Sequence, residues 1–326
     1  MSKIDQIIND LTLEEKVSLL SGFNSWYTNK IDRKGIPSIK MSDGPNGVRG
    51  DSNSGKTSAC FPCAISISSS WDLDQVKKIG VALGEEAQAK DVDVLLGPTI
   101  NIHRHPLGGR HFESFSEDPF LTGKIASSYV QGVQSQNVAA CLKHFVGNDT
   151  EFERHSISSN IDEQTLREIY LLPFEIGVKE GNAKVVMSAY NKLNNIYCSS
   201  HQELLIDILK KEWGFDGYVV SDWGAALETE ENANGGLDLE MPGPGNVWGN
   251  ALIDAIKSKR VAEDLIDDKV KRILSIAEFS KRFDQPKIKN EEAIDNPEHR
   301  KLLRKAAADG MVLLKNEGML PLKKDI

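Results

Sequence analysis

Short apolar runs alternate along this chain with longer segments that repeat apolar residues every three or four positions. The runs at residues 39–42, 92–96, 138–142, 184–188, 218–221 and 237–240 have the length and composition of buried strands. Between them, residues 13–20, 74–90, 119–134, 163–179, 203–213 and 250–257 read as helices. Thr12, with Glu15 three residues later, makes a capping box at the start of the first. Strand-then-helix repetition with buried strands predicts parallel pairing and right-handed crossovers.

An open doubly wound sheet and a closed barrel both fit that alternation, and the placement of polar residues separates them. Asp43 follows the run at 39–42, Lys143-His144 that at 138–142, Tyr190-Asn191 that at 184–188, and Asp222-Trp223 that at 218–221. In a (β/α)8 barrel all such ends meet at one mouth, whereas an open sheet concentrates chemistry at one switch point. The prediction is an α/β fold, a (β/α)8 TIM-like barrel. It is expected to be irregular or to have fewer regular strands, since six strand signals are visible and the fold has about eight. Residues 1–298 are assigned to the barrel. Residues 299–310 read as a helix and 311–318 as a strand and turn with no partner strand to follow, so 299–326 reads as a linker into a further unit.

Composition narrows the function classes. The chain has 326 residues, 40% hydrophobic and 27% charged, with 39 basic and 48 acidic side chains and a net charge of −9. No block of Lys and Arg is present to displace phosphate counterions, which argues against nucleic acid as a partner. No apolar run approaches the ~20 residues of a membrane span, and the first residues lack the layout of a secretory signal. With four sparse cysteines, the expectation is a soluble, cytoplasmic protein with reduced thiols.

Several apparent motifs carry little. Cys60-Phe61-Pro62-Cys63 has thioredoxin spacing but lies in a Ser/Gly-rich stretch rather than between a strand and a helix. His103, His105 and His111 lack an accompanying strand-end carboxylate, so no metal is assigned. The glycines at 243–245 do not have the spacing of a dinucleotide loop, and no cofactor is assigned.

Asp222 is the strongest single candidate. A carboxylate at a strand tip beside an exposed aromatic suits attack on an anomeric carbon, with the ring stacking on a sugar face. The plainer alternative is an Asp capping the next helix. Lys143 and His144 offer charge-assisted hydrogen bonds to a hydroxylated ligand, against a surface Lys and a packed His. Arg110, in a Gly- and aromatic-rich loop, has solvated-loop chemistry as its alternative, and Asp43, in Asp-Gly-Pro, has turn chemistry. Their shared position at strand ends raises them together.

Seven segments in order resemble family 3 glycoside hydrolases of the β-glucosidase type: SDGPNGVR at 42–49, GRHFESFSEDP at 109–119, KHFVGN at 143–148, MSAYN at 187–191, GFDGYVVSDWG at 214–224, GLDLEMPG at 236–243 and VLLKNEGMLPL at 312–322. The resemblance implies Asp222 as nucleophile of a retaining displacement. It implies Asp43, Arg110, Lys143, His144, Arg154 and Tyr190 as binders of sugar hydroxyls, Met187 and Trp223 as walls, and Glu113 as support from behind. The implied substrate is a β-glucoside or oligosaccharide. The implied partner is a C-terminal α/β sandwich domain, in cis or in trans, carrying the acid/base Glu that this chain lacks. Activity of the chain alone is therefore expected to be weak or absent. Alternatives are a sugar-binding barrel without turnover and a β-N-acetylhexosaminidase-like barrel using His155, although the loop at 148–156 lacks that branch's Asp-Ser-His triplet. A metal- or phosphate-dependent lyase or aldolase would need a Schiff-base lysine inside a strand or a phosphate loop, and neither stands out.

Overall fold

The computed structural model describes residues 2–51 and 54–322. Five strands form one parallel sheet in the order β1 (Met41–Asp43), β2 (Val94–Leu96), β3 (Ala139–Phe145), β5 (Val185–Ser188) and β8 (Tyr218–Ser221). Three two-residue strands, β4 (Ser158–Ser159), β6 (Lys192–Leu193) and β7 (Ile196–Tyr197), make a small separate sheet beside it.

The large sheet curls and closes. Val220 bridges Leu239 in parallel, Ser21 bridges Glu240 in parallel, and Tyr27 bridges Lys40 in antiparallel sense at the base of β1. Gly22 N–H donates to the Glu240 carbonyl at 3.0 Å, Phe23 N–H to Tyr27 at 2.7 Å and Met41 N–H to Trp26 at 2.8 Å. The predicted strand at 237–240 is therefore present only as isolated bridges. Two further staves, around residues 20–22 and 26–28, complete the ring where the sequence showed six. Glu240 fastens the seam: its carboxylate accepts Ser21 Oγ at 3.1 Å and the Asn246 and Val247 amides at 2.6 and 3.0 Å.

The helices form where local chemistry starts them. Asp72 caps Leu73–Ala89 through the Gln75 amide, and Asp118 caps Pro119–Gln134 through the Leu121 amide, with proline in the first turn. These two helices meet at glycines. A Cβ on Gly132 would sit 2.3 Å from the Lys77 carbonyl oxygen, and one on Gly80 would sit 2.5 Å from that of Tyr129. The close approach buries Val76, Ile79, Val130 and Val133 completely. The helix predicted over 163–179 contains a π-helical turn, Leu166–Leu171, and that at 203–213 is π-helical over Glu203–Glu212.

Two expectations are corrected. Residues 311–318 form no strand and are exposed, because an apolar segment without a pairing partner has nothing to satisfy its backbone. Lys143 and His144 lie inside β3 rather than after it. Helix Pro297–Asp309 packs against Leu73–Ala89 and Ala64–Ser68, burying His299 and Ala306. Cys63 stands at the N-cap of the five-residue helix Ala64–Ser68, and all four cysteines are free thiols. Among the described residues no helix is long and apolar enough to cross a membrane. Residues 323–326 of the predicted linker lie outside the described residues.

Candidate active site

The C-terminal ends of the strands surround a cavity of about 240 Å³ lined by Trp26, Asp43, Leu96, Arg110, Lys143, His144, Arg154, Met187, Tyr190, Asp222 and Trp223. All nine residues predicted to act on or contact a ligand line this one space. Trp26 and Leu96 were not anticipated; Trp26 belongs to a closing stave too short for a periodic signal.

Asp222 follows β8 directly and is only 8% exposed. Its Oδ1 accepts the Trp223 amide at 2.7 Å, while Oδ2 is buried with no hydrogen bond. Burial pushes this carboxyl above its ordinary value, against the pull of the Trp223 amide, Lys143, Arg110 and Tyr190. The Tyr190 hydroxyl donates to the Trp223 carbonyl at 2.9 Å, and burial followed by the Asp222 charge raises its pKa.

Lys143 and His144 both line the cavity although strand alternation sends neighbours to opposite faces. The register between β3 and β5 shifts between Leu142 and Phe145, which breaks the alternation there. Lys143 Nζ meets Asp43 Oδ1 at 2.9 Å. Burial would raise the Asp43 pKa, but Lys143 and then Arg49 outweigh it and hold the carboxylate ionised.

His144 is buried, and burial first, then the Arg110, Lys143 and Arg154 charges, lower its pKa well below the ordinary value. The ring is therefore neutral. Its Nδ1 lies 3.1 Å from Asn101 Oδ1, and its Nε2 3.2 Å from an Arg110 terminal nitrogen and 3.7 Å from Asp222 Oδ2. Asn101 Oδ1 and the Arg110 donor assign the proton to Nδ1, leaving Nε2 as acceptor. Glu113 sits behind, paired with Arg110 Nε, and takes the Thr99 hydroxyl at 3.2 Å. It does not line the cavity.

Arg154 pairs with Glu151 at 2.8 Å and lies over the Tyr190 ring, 4.9 Å from its centroid. His155 packs edge-on against the outside of Tyr190, with centroids 4.3 Å apart, and is exposed. Trp26 and Trp223 lie 5.5 Å apart at an interplanar angle of 42°, and the Trp223 indole N–H donates to the Ser25 carbonyl at 2.9 Å. The arrangement offers one under-solvated carboxylate, several hydroxyl partners and an aromatic wall. Among the described residues no cluster of three side chains could hold a metal, and the His103 and His111 rings face one another at 5.0 Å.

The fold and the site together define an α/β barrel with a carboxylate-bearing polar pocket at its strand ends. The model of the glycosyl hydrolase family 3 N terminal domain matches residues 2–276, and the chain belongs to that family. A beta-glucosidase of Rhizobium radiobacter is 51% identical over 98% of this chain and 40% of its own length. Thermostable beta-glucosidase B of Acetivibrio thermocellus is 47% identical over 98% of this chain and 43% of its own. The crystal structure of a beta-glucosidase from Kluyveromyces marxianus in complex with glucose matches with a TM-score of 0.94 at 43% identity, over 100% of this chain and 40% of that one. Beta-glucosidase 3B from Thermotoga neapolitana in complex with alpha-D-glucose matches at 0.92 and 40% identity, over 99% and 48%. The chain thus spans less than half the length of these relatives.

Proposed function

We propose that this chain supplies the nucleophile and the glycosyl-binding shell of a retaining β-glucosidase acting on terminal non-reducing β-D-glucosyl residues. The observation that carries this reading is the Asp222 carboxylate lining the cavity at the strand ends, with one oxygen held by the Trp223 amide and the other without a hydrogen bond. The bare oxygen attacks the anomeric carbon, the glycosidic C–O bond breaks, and a covalent glycosyl-Asp ester forms for water to hydrolyse. Asp43 accepts hydroxyl protons, Lys143 and Arg110 donate to hydroxyl oxygens, and Trp223 stacks on an apolar sugar face. The relatives named above are beta-glucosidases, two of them with glucose bound, which supports the sugar.

Departure of an alkoxide needs a proton, and among the described lining residues no second carboxyl is left to give it. Among the described lining residues the carboxyls are Asp43 and Asp222, one ion-paired and the other the nucleophile. His155 does not line the cavity, and its ring nitrogen accepts from Arg154 at 3.4 Å instead of meeting a carboxylate. We therefore place the acid/base outside these residues, in the further length that the relatives have.

A 2-deoxy-2-fluoro-glucoside with a dinitrophenyl leaving group departs with little protonation and isolates the nucleophile. A covalent adduct on Asp222, found by peptide mass spectrometry and absent from Asp222→Asn, is the expected result. A folded chain that takes no label would sink the reading and favour a sugar-binding barrel without turnover.

A further inference from the structure

Glu291 lies outside the pocket, between helices Glu263–Phe279 and Pro297–Asp309 and past the last residue of the family match. It is buried, and its carboxylate is fully engaged. One oxygen receives Lys40 Nζ at 2.6 Å and the Asp51 amide at 2.7 Å, and the other receives Ser54 Oγ at 2.5 Å. Lys40 is the residue before β1, and its ammonium also meets the Lys90 carbonyl at 2.7 Å.

From this carboxylate a run of consecutive amides leads back to the pocket. Asp51 N–H goes to Glu291, Gly50 N–H to Ser42 Oγ at 2.9 Å, and Arg49 N–H to the Asp43 carbonyl at 3.0 Å. The Arg49 guanidinium lies 3.5 Å from Asp43 Oδ2. Gly50 has φ +63°, and a Cβ there would fall 2.6 and 2.7 Å from the two Glu291 oxygens, so turn and carboxylate fit face to face. One side chain therefore grips both the residue entering β1 and the turn leaving it, with Asp43 at the tip between them.

We propose that Glu291 is a positioning residue for Asp43, fixing where that carboxylate stands in the cavity by clamping Lys40 below it and the amides of residues 49–51 beyond it. A buried ion pair adds little net stability over an apolar pair of similar volume. Its place at the root of a site-bearing strand fits control of geometry. The clamp holds whatever the pocket binds; its effect on sugar affinity rests on the function proposed above.

Two variants of the full chain test it. Glu291→Gln keeps the shape and one acceptor oxygen, turns the other position into an amide donor, and leaves Lys40 without its counter-charge. The double variant Lys40→Met with Glu291→Leu removes both charges together and replaces them with apolar side chains of similar size, so it folds if the single one does not. Amide hydrogen exchange at residues 49–51 is expected to speed up about tenfold in the double variant while the unfolding midpoint stays near that of the parent. Glucose affinity by calorimetry is expected to drop about tenfold, with the labelling rate at saturating fluoro-glucoside changed less than about twofold. Unchanged exchange at 49–51 overturns the clamp, and faster exchange with unaltered glucose affinity overturns its role in placing Asp43. If the parent chain binds no glucose, the proposed function falls and the exchange data alone decide the clamp.

Discussion

His144 Nε2 stands 3.7 Å from Asp222 Oδ2 with no proton between them, because the ring is neutral and carries its hydrogen on the Asn101 side. The imidazole thus borders the nucleophile without neutralising it. Asp222 stays a free base at the cost of burial, and that cost sets its titration.

Labelling of Asp222 requires the ionised form. Burial raises its pKa, so the labelling rate is expected to fall as pH drops through a value above the ordinary carboxylate range of about 4. Lys143 pulls that pKa down. In Lys143→Met the acid limb of the pH–rate profile is expected to move to higher pH, and a limb that stays in place refutes the assignment.

Asn101 holds His144 by side chain and backbone, since Asn101 Oδ1 also accepts the His144 amide at 2.9 Å and Asn101 Nδ2 donates to the His144 carbonyl at 2.9 Å. Asn101→Leu leaves buried groups unpaired and is expected to cost about 1–3 kcal/mol in urea unfolding. It also frees the ring to take the other tautomer, so labelling is expected to slow at every pH. ¹⁵N chemical shifts of the His144 ring report the tautomer directly.

Below the strands, Lys269 and Lys210 share Asp238, at 3.9 and 2.7 Å. Burial outweighs the Asp238 charge and depresses Lys269 from the ordinary 10.5 to about 7. Between those values the unfolded chain binds a proton that the folded chain does not. Stability is therefore expected to rise with pH across that window, by up to about 1.4 kcal/mol per pH unit. Thermal unfolding between pH 7 and 9.5 should show the slope, and Lys269→Met should flatten it.

Arg282 locks the end of helix Glu263–Phe279 to the floor of the ring. Its Nε is 2.9 Å from both Asp93 oxygens, and its guanidinium meets the Asp91 carboxylate at 3.0 Å and the Asp91 carbonyl at 2.7 Å. Arg282→Met strands the buried Asp93 carboxylate and the half-buried Asp91 and is expected to destabilise by about 3–5 kcal/mol. A loss under about 1 kcal/mol would show the lock to be solvent-exchanged.

The pocket was legible because its residues sit where apolar strand runs stop. Asp43, Tyr190 and Asp222 each follow such a run, and that register alone brings them together. Arg110 and Arg154 come from loops whose composition says nothing of their direction, and only the resemblance placed Arg154. The staves at 20–22 and 26–28 were invisible because two or three residues cannot display a period, and Trp26 was missed with them. Helix Glu263–Phe279 does carry a readable signal, with Ile266, Val270, Ile273, Leu274 and Ala277 buried along one face. Glu291 had none: its importance lies in partners 237 to 251 positions away.

The seam that closes the ring joins Ser21 to Glu240, 219 positions apart. A growing chain emerging from the ribosome therefore holds its first stave without this partner until residue 240 has been made. Loop-closure entropy makes this contact one of the last to be worth forming. The stave at 26–28 can pair at once with the root of β1, through Tyr27 and Lys40, whereas the wall that Trp26 makes with Trp223 waits for the chain at the end of β8.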